Sequence, residues 1–512
     1  MALSPDAPDG PVRAVVVVDG PTPAWQAGAL HGLRDAPGVE VAGVRVVDRP
    51  PAPALERARV ALERRLVGVA ADAQAPASGG VQPAAPDGRV ALVVWLAEAA
   101  PPEAPDAAAL LRLRHDGRRE PLATAFAHAV AGGAGTVTSE AVRRPAGGGP
   151  ERVVERTRSG VRSFSSVLGA SFAGWKLAAL VVRAAQRADV GEPAAPDRPG
   201  RGPVAPARLL VGAVVRWALL SVLRVLFRRP WQVEVRRRRP DPASGWDRAS
   251  DISVPWRPGH LYADPLLFEH EGAHHLFVEA VAPGSPRGVI AHVAVDADGR
   301  AGGPPRTILE APHHLSYPYV FAHAGEIFLI PETAAARRVE LHRAVRFPDR
   351  WVLESVLLDG VEAVDATVFA HDGRLWMFVG IAAPGASMLD ELHLLWADDP
   401  RGPWTPHPAN PVVSDATCAR PAGAVQSWGG RLVRPGQDGS RRYGEAISFR
   451  EIDVLTPEAY AEHEVARLGP ADVRRARATH TTTRDSRFEA IDVRRRELRL
   501  PRGWTHGRPR RG

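Results

Sequence analysis

The sequence predicts a multidomain chain, an N-terminal α/β domain followed by a C-terminal all-β five-bladed β-propeller. Three observations carry this. First, a hairpin-like stretch at Leu261–Glu279, LYADPLLFEHEGAHHLFVE, returns four times. The copies are YPYVFAHAGEIFLIPE at Tyr317–Glu332, DATVFAHDGRLWMFV at Asp365–Val379, RPAGAVQSWGGRLVRP at Arg420–Pro435 and THTTTRDSRFEAIDV at Thr479–Val493. The units begin at 264, 317, 365, 420 and 479, in steps of 53, 48, 55 and 59 residues. Each step holds about four strands, the size of one propeller blade. Second, the chain opens on VRAVVVVD, Val12–Asp19, a β-branched apolar run that reads as a buried parallel strand. Third, 512 residues exceed what one core organises.

In order, the expected parts are an α/β domain over residues 10–188, a linker and amphipathic helix over 189–230, the propeller over 231–495 and a basic disordered tail over 496–512. After the first strand, Ala24–Asp35 fits a helix, Val39–Val47 a second strand, Ala54–Val69 a helix and Val90–Leu96 another buried strand. The Ala/Pro/Gly stretch Ala70–Gly88 predicts a disordered linker, and Gly191–Pro206 a second linker. No GxGxxG follows the first strand, so a dinucleotide site lacks its phosphate loop. Phe164–Ala188 reads as a helix.

Ala207–Phe227, ARLLVGAVVRWALLSVLRVLF, is long enough to span a bilayer. Arg216 and Arg224 oppose spanning, because each costs about 2.5–3.5 kcal/mol near the bilayer centre. At roughly 100° per residue Arg208, Arg216 and Arg224 form a basic face opposite a wide apolar one. The expectation is a helix packed on the propeller, or one in peripheral contact with a membrane surface.

Charge sharpens the division. The overall +7 is carried almost wholly by Arg, with Lys176 the one lysine, a bias that removes nucleic acid as an inference from basicity. Residues 201–239 hold ten Arg against one acid and residues 473–512 thirteen against four, each net +9, which leaves the rest of the chain at −11. One cysteine, Cys418, rules out an intramolecular disulfide framework. The N-terminal residues lack a basic, apolar signal pattern, so the expected location is cytoplasmic, with peripheral contact at the inner membrane through 207–227.

Within the propeller the repeat geometry selects site residues. If the first strand of each unit lines the axis, one mouth is ringed by Asp264, Tyr317, Asp365, Arg420 and His480, with Glu279, Glu332, Arg434 and Asp438 as a second tier. Facing carboxylates drive each other's pKa values apart, as acid/base chemistry on a glycosidic bond requires. An Arg in the ring suits an anionic or hydroxyl-rich ligand. These groups are expected to face water. Trp351 and Trp404, at comparable outer turns, read as blade-packing residues. Trp231–Arg237, WQVEVRR, is a lone strand placed to complete the last blade beside Phe488–Val493. His270, His323 and His371 recur at one turn position, and His313-His314 and His274-His275 match no ligand spacing, so no metal and no cofactor is expected.

Three resemblances add to this reading. Asp264-Pro265, an apolar strand, a turn glycine and a second strand ending in an acid resemble five-bladed propellers of the family-43 glycosidase type. HLSYP, PET, SDATCARPAG and GPWTPHPANPV resemble more closely the N-terminal domain of glucosamine inositolphosphorylceramide transferases. The first resemblance implies Asp264 as general base and Asp365 as the acid that tunes pKa. The proton-donor Glu has no counterpart where Arg420-Pro421-Ala422 stands, which leaves Glu332 or Glu279 for that role. Upstream, LRHDGRREPLATAFAHAVAGGAGTVTSEAVRR at Leu113–Arg144 resembles a degenerate formyltransferase-like domain, with His115 as its histidine, no Asn just upstream and no Asp-x-Gly after Val137. As a lone histidine, His115 is expected at the surface. The functional expectation is a carbohydrate-binding or carbohydrate-active protein working at the axial mouth, in cell-surface glycan or glycolipid biosynthesis. Its partners would be a glycan, a sugar phosphate or a nucleotide sugar. The alternative is formyl transfer to an amino sugar, with the propeller as an accessory module.

Overall fold

The computed structural model describes residues 11–48, 52–67, 72–78, 81–86, 90–98, 108–187, 191–228, 231–240, 245–246, 254–495 and 497–498. The basic tail expected over 496–512 lies outside them except for 497–498.

The first half is built on one seven-stranded sheet in the order β2-β1-β3-β4-β5-β6-β7. Its elements are β1 (Val12–Gly20), α1 (Ala24–Asp35), β2 (Val39–Asp48), α2 (Ala54–Val67), β3 (Leu92–Trp95), β4 (Ala109–His115), α3 (Leu122–Gly132), β5 (Thr136–Arg144), β6 (Arg152–Gly160), α4 (Ser166–Gln186) and β7 (Glu192–Pro193). β2, β1, β3 and β4 are parallel, as their continuous apolar runs require, and β5 and β6 extend the sheet antiparallel. α1, α3 and α4 bury Trp25, Leu30, Phe126, Leu177 and Leu180 against Val16, Val94 and Leu111. Ser165 caps α4 by accepting the Leu168 N–H at 3.1 Å.

Both expected linkers are pinned to this domain. Within 70–88, Ala73 is fully buried and donates its N–H to Ser171 Oγ at 2.9 Å, and Ala84 pairs with Val44. Within 191–206, β7 adds to β6, Asp197 binds Arg112 and Arg114, and Arg201 binds Glu120. Low-complexity composition denies these stretches regular structure, but buried backbone bonds and ion pairs still give them a fixed place.

After α5 (Pro206–Leu226) and β8 (Phe227–Arg228) come five sheets. Blade 1 is β10 (Leu261–His270), β11 (Ala273–Val281), β12 (Gly288–Val295) and β13 (Arg306–Leu309). Blade 2 is β14 (Ser316–His323), β15 (Glu326–Glu332), β16 (Arg338–Arg346) and β17 (Arg350–Asp359). Blade 3 is β18 (Ala363–His371), β19 (Arg374–Ile381), β20 (Glu391–Ala397) and β21 (Thr405–Pro406), with β22 (Val413–Ser414) also on β20. Blade 4 is β23 (Gln426–Trp428), β24 (Arg431–Asp438), β25 (Ala446–Leu455) and β26 (Tyr460–Leu468). Blade 5 is β27 (Thr482–Arg484) and β28 (Phe488–Arg494), completed by β9 (Trp231–Arg237). The strand that precedes the repeats therefore closes the ring, and the all-β half is a five-bladed propeller. β29 (Glu497–Leu498) pairs with β8.

Two-residue turns fix the hairpin registers. Glu271-Gly272, Ala324-Gly325, Asp372-Gly373 and Gly429-Gly430 all have both φ values positive, the geometry that matches strand twist. His270, His323 and His371 end the strands before these turns. Trp351 and Trp404 donate their indole N–H to Pro348 O and Pro400 O, at 2.8 and 3.1 Å, and pack into one inter-blade core.

The two halves are docked. Thr157 and Ser414 share a hydroxyl bond of 2.8 Å, and the Ala416 N–H donates to Arg158 O at 3.0 Å. Lys176, on α4 and almost fully buried, donates to Arg158 O at 3.2 Å and lies 3.5 Å from Asp390 Oδ2 of the propeller. α5 rests on α2 and α3 of the N-terminal domain, and among the described residues no comparable packing on a blade accompanies it, unlike the first of the two expected placements.

Candidate functional site at the propeller axis

The first strand of blades 1, 2 and 3 carries a bulge at the same place, between Ala263 and Leu266, Ser316 and Tyr319, and Val364 and Thr367. The residue at each bulge, Asp264, Tyr317 and Asp365, has left-handed backbone, with φ of 49°, 42° and 54°. Non-glycine residues rarely adopt this conformation, which costs of order 1–3 kcal/mol and clusters at functional sites. The bulge re-aims these side chains out of the strand alternation and toward the centre of the ring.

There they meet residues from the other blades. Asp264 Oδ1 lies 3.0 Å from His480 Nε2, and His480 Nδ1 lies 2.9 Å from Asp492 Oδ2. Asp492 also accepts the backbone N–H groups of His480 and Thr481 at 3.0 and 3.1 Å and the Thr481 hydroxyl at 2.6 Å. Asp264 Oδ2 accepts the Tyr317 N–H at 3.3 Å, linking blade 1 to blade 2. The His480 ring packs against Trp231 and Tyr443, with centroids 4.4 and 4.6 Å away. Opposite, Arg420 forks onto Asp365 at 2.5 and 3.1 Å and reaches Glu332 at 3.0 Å. Gln437 Nε2 adds a bond to Asp365 at 2.9 Å. At the rim Glu279 lies 3.2 Å from His314 Nε2; Nδ1 of the same ring accepts the Gly288 N–H, so Nε2–H is the donor to Glu279. His314 is 39% exposed on its side chain and opens this end to water.

The expectation that these groups face water is corrected. Asp264, Asp365 and His480 are buried, and Glu332 and Arg420 keep only a small opening. Each charge instead faces an opposite one across the axis. Burial opposes the charge on His480, yet Asp492 and Asp264 outweigh it and raise the imidazole to about 10. It is therefore an imidazolium at neutral pH. Asp264 is pushed up by burial, but the bond to His480 brings it below the usual range. Glu332 is raised well above the usual range by burial, helped by Asp365, with Arg420 opposing. Glu332 and Asp264 are thus driven in opposite directions from the ordinary carboxyl range, while burial raises Asp365 against the opposing Arg420. Asp264, His480 and Asp492 offer atoms close enough together to hold a metal ion.

Two of the residues expected in the second tier are elsewhere. Arg434 pairs with Glu462 at 2.6 and 2.7 Å and donates to Cys418 O at 2.9 Å, within the sheet. Asp438 binds Arg467 at 2.5 Å and the Ser440 N–H. The Gln437 N–H donates to Arg420 O at 2.7 Å, so Gln437, three residues beyond Arg434, is the blade 4 neighbour of the axis. Gln437, Tyr443, Asp492, Thr367 and His314 were missed. Of these only Asp492, an acid inside the apolar run FEAIDV, left a signal in the sequence. The Cys418 thiol is pushed up to about 12 by burial and is no nucleophile at neutral pH.

His115 ends β4 and is buried, not at the surface as expected. The Asp116-Gly117 turn, with φ of 50° and 70°, folds it inward, where Nδ1 meets Ser139 Oγ at 2.8 Å. Burial lowers the imidazole to about 4, so it is neutral. It lines a cavity of about 60 Å³ with Trp25, Trp95, Glu98, Arg112 and Glu120.

Residues 247–498 match the family described as glucosamine inositolphosphorylceramide transferase 1, N-terminal. Two relatives are similar over this region. Glucosamine inositolphosphorylceramide transferase 1 of Arabidopsis thaliana is 34% identical over 211 residues, 41% of this chain and 28% of that protein. The protein of the same name from Oryza sativa subsp. indica is 32% identical over 254 residues, 48% of this chain and 34% of that protein. The chain thus spans about a third of the length of these curated relatives. Among solved structures, Zg3597, a family 117 glycoside hydrolase of Zobellia galactanivorans, aligns with a TM-score of 0.34 and 11% identity over 51% of this chain and 90% of that one.

Proposed function

We propose that the protein binds and acts on a hydroxyl-rich carbohydrate at the axial mouth of the propeller, in the assembly of a glycan or glycolipid. The observation that carries this reading is the convergence of Asp264, Asp365, Glu332, Arg420 and His480 on one axial site, where Glu332 is raised above and Asp264 lowered below the ordinary carboxyl range. Carboxyls driven apart in this way are the pair that proton transfer at a sugar oxygen needs. In this reading Glu332 is the proton donor, Asp264 the base, and Asp365 holds Arg420. Tyr317 and His480 position them, and Glu279 with His314 forms the rim. The sugar-lipid chemistry in the relatives' names supports the substrate class.

Arg420 is already engaged by its fork onto Asp365, so it has little charge left for a phosphate. A neutral sugar, whose hydroxyls both donate and accept, fits better than the sugar phosphate expected from an arginine in the ring. Calorimetry of the full chain against neutral glycans, sugar phosphates, nucleotide sugars and inositol phosphates tests this. A neutral glycan should bind, and Asp264→Asn and Glu332→Gln should each cost ~1–3 kcal/mol, roughly 5–150-fold in affinity. Binding confined to phosphate-bearing ligands, or untouched by both substitutions, would sink the assignment.

A second reading, formyl transfer at the N-terminal sheet, has one observation in its favour. His115 is neutral and lines a cavity at the carboxyl ends of β3 and β4, where ligands of parallel sheets bind. Binding of a tetrahydrofolate formyl donor that His115→Ala abolishes is the expected result of that reading, and no binding removes it.

A further inference from the structure

α5 is turned inside out relative to a helix of a water-soluble domain. Leu209 and Ala213 pack inward, Leu209 into the N-terminal core, and Arg208 reaches the end of α3 at Ala131 O, 3.4 Å away. The outward stripe is Val211, Val214, Val215, Leu219 and Val222, at helical spacing, with Val211 61% and Val215 59% exposed. Only 12% of the stretch Pro206–Leu223 is buried, and the helix contains no acid. A patch of this kind marks a surface that is covered in use.

The charge around it says what covers it. β8 follows the helix directly and pairs with β29, and β9 pairs with β28 along its whole length. The helix's own charges are Arg208, Arg216 and Arg224, all basic, and β8 directly beyond it adds Arg228. An apolar stripe on a helix whose charges are all arginine matches an anionic bilayer surface, with acyl chains for the valines and headgroups for the guanidinium groups. We propose that α5 lies in the interface of an anionic phospholipid membrane, apolar stripe down, and tethers the propeller there. Because Leu209 belongs to the domain core and α2 and α3 hold one flank, the helix lies on the bilayer and does not cross it. This proposal stands independently of the sugar site.

Flotation of the full chain with vesicles of phosphatidylcholine, alone or mixed with phosphatidylglycerol, tests it. Binding should appear with the mixed vesicles, fall by about an order of magnitude on the neutral ones, and weaken at high salt. The double substitution Val215→Asp/Leu219→Asp should abolish it, while the melting temperature stays unchanged because both side chains are exposed. Failure to float with anionic vesicles overturns the proposal. So does flotation that survives the double substitution, or protein that resists alkaline carbonate and so spans the bilayer. A concentration-dependent dimer lost in the double variant, with no vesicle binding, would assign the stripe to a second copy of the chain and also overturn it.

Discussion

Replacing Arg420 by Met should destabilise the propeller by about 3–5 kcal/mol, the cost of removing one partner from a buried ion pair. Arg420 holds Asp365 from two nitrogens and reaches Glu332 with one of them. Methionine fills a similar volume, so the loss is electrostatic and not a cavity. Without the guanidinium the two carboxyls face each other in a desolvated site and can persist only by taking up protons. The destabilisation should therefore be greatest near neutral pH and shrink as pH falls into the carboxyl range. Arg420→Lys should recover only part of it, since a single ammonium cannot reproduce the fork. Adding Asp365→Asn to Arg420→Met should give back stability, a coupling readable in a double-mutant cycle by urea denaturation. A loss that is the same at every pH would mean the arginine acts by packing and would defeat the argument.

The second large effect belongs to His480. Its imidazole titrates at about 10 in the fold and at an ordinary value near 6.5 when unfolded. A folded pKa raised above the unfolded one means that the charge stabilises fully below about 6.5 and is lost as pH rises through about 10. The wild-type urea midpoint should therefore decline across that window. In His480→Gln the decline should be absent, because a neutral amide has no proton to lose, and the protein should be weaker at pH 7 by about 3–5 kcal/mol with Asp264 and Asp492 left facing each other. Nitrogen NMR of the imidazole gives the direct check. Titration near 6.5 in the folded protein would refute the double carboxylate clamp.

Much of the propeller was legible because its signal is repetition. Five similar units and one orphan strand gave blade number and closure before any side chain was placed. The axial residues Asp264, Tyr317, Asp365, Arg420 and His480 followed from the same repeat. What stayed hidden had physical causes. Left-handed backbone at Tyr317, ahead of a proline, runs against every local preference, so no propensity argument would put it there. Arg434 was misplaced because blade 4 pairs Gln437 with Arg420, while Glu462 from the outer strand draws the arginine aside. The stretch 70–88 was misread as disordered because composition reports the lack of regular structure and says nothing of long-range bonds. For α5 the pattern gave two faces but not which one the protein keeps.

The closing strand β9 also sets a clock on synthesis. Arg236 and its partner Glu489 are 253 residues apart, and everything between them must emerge before the ring can shut. At translation rates of roughly 5–20 residues per second, that is about ten to fifty seconds. Throughout this interval Trp231–Arg237 is an unpaired edge, with Trp231, Val233 and Val235 exposing one apolar face, and open to neighbouring nascent chains. Its arginine-rich end is a natural gatekeeper against such encounters, since like charges on two ribosome-bound copies repel. A nascent chain halted before Phe488 should accordingly stay sensitive to protease at β9, while one released after Arg494 should resist.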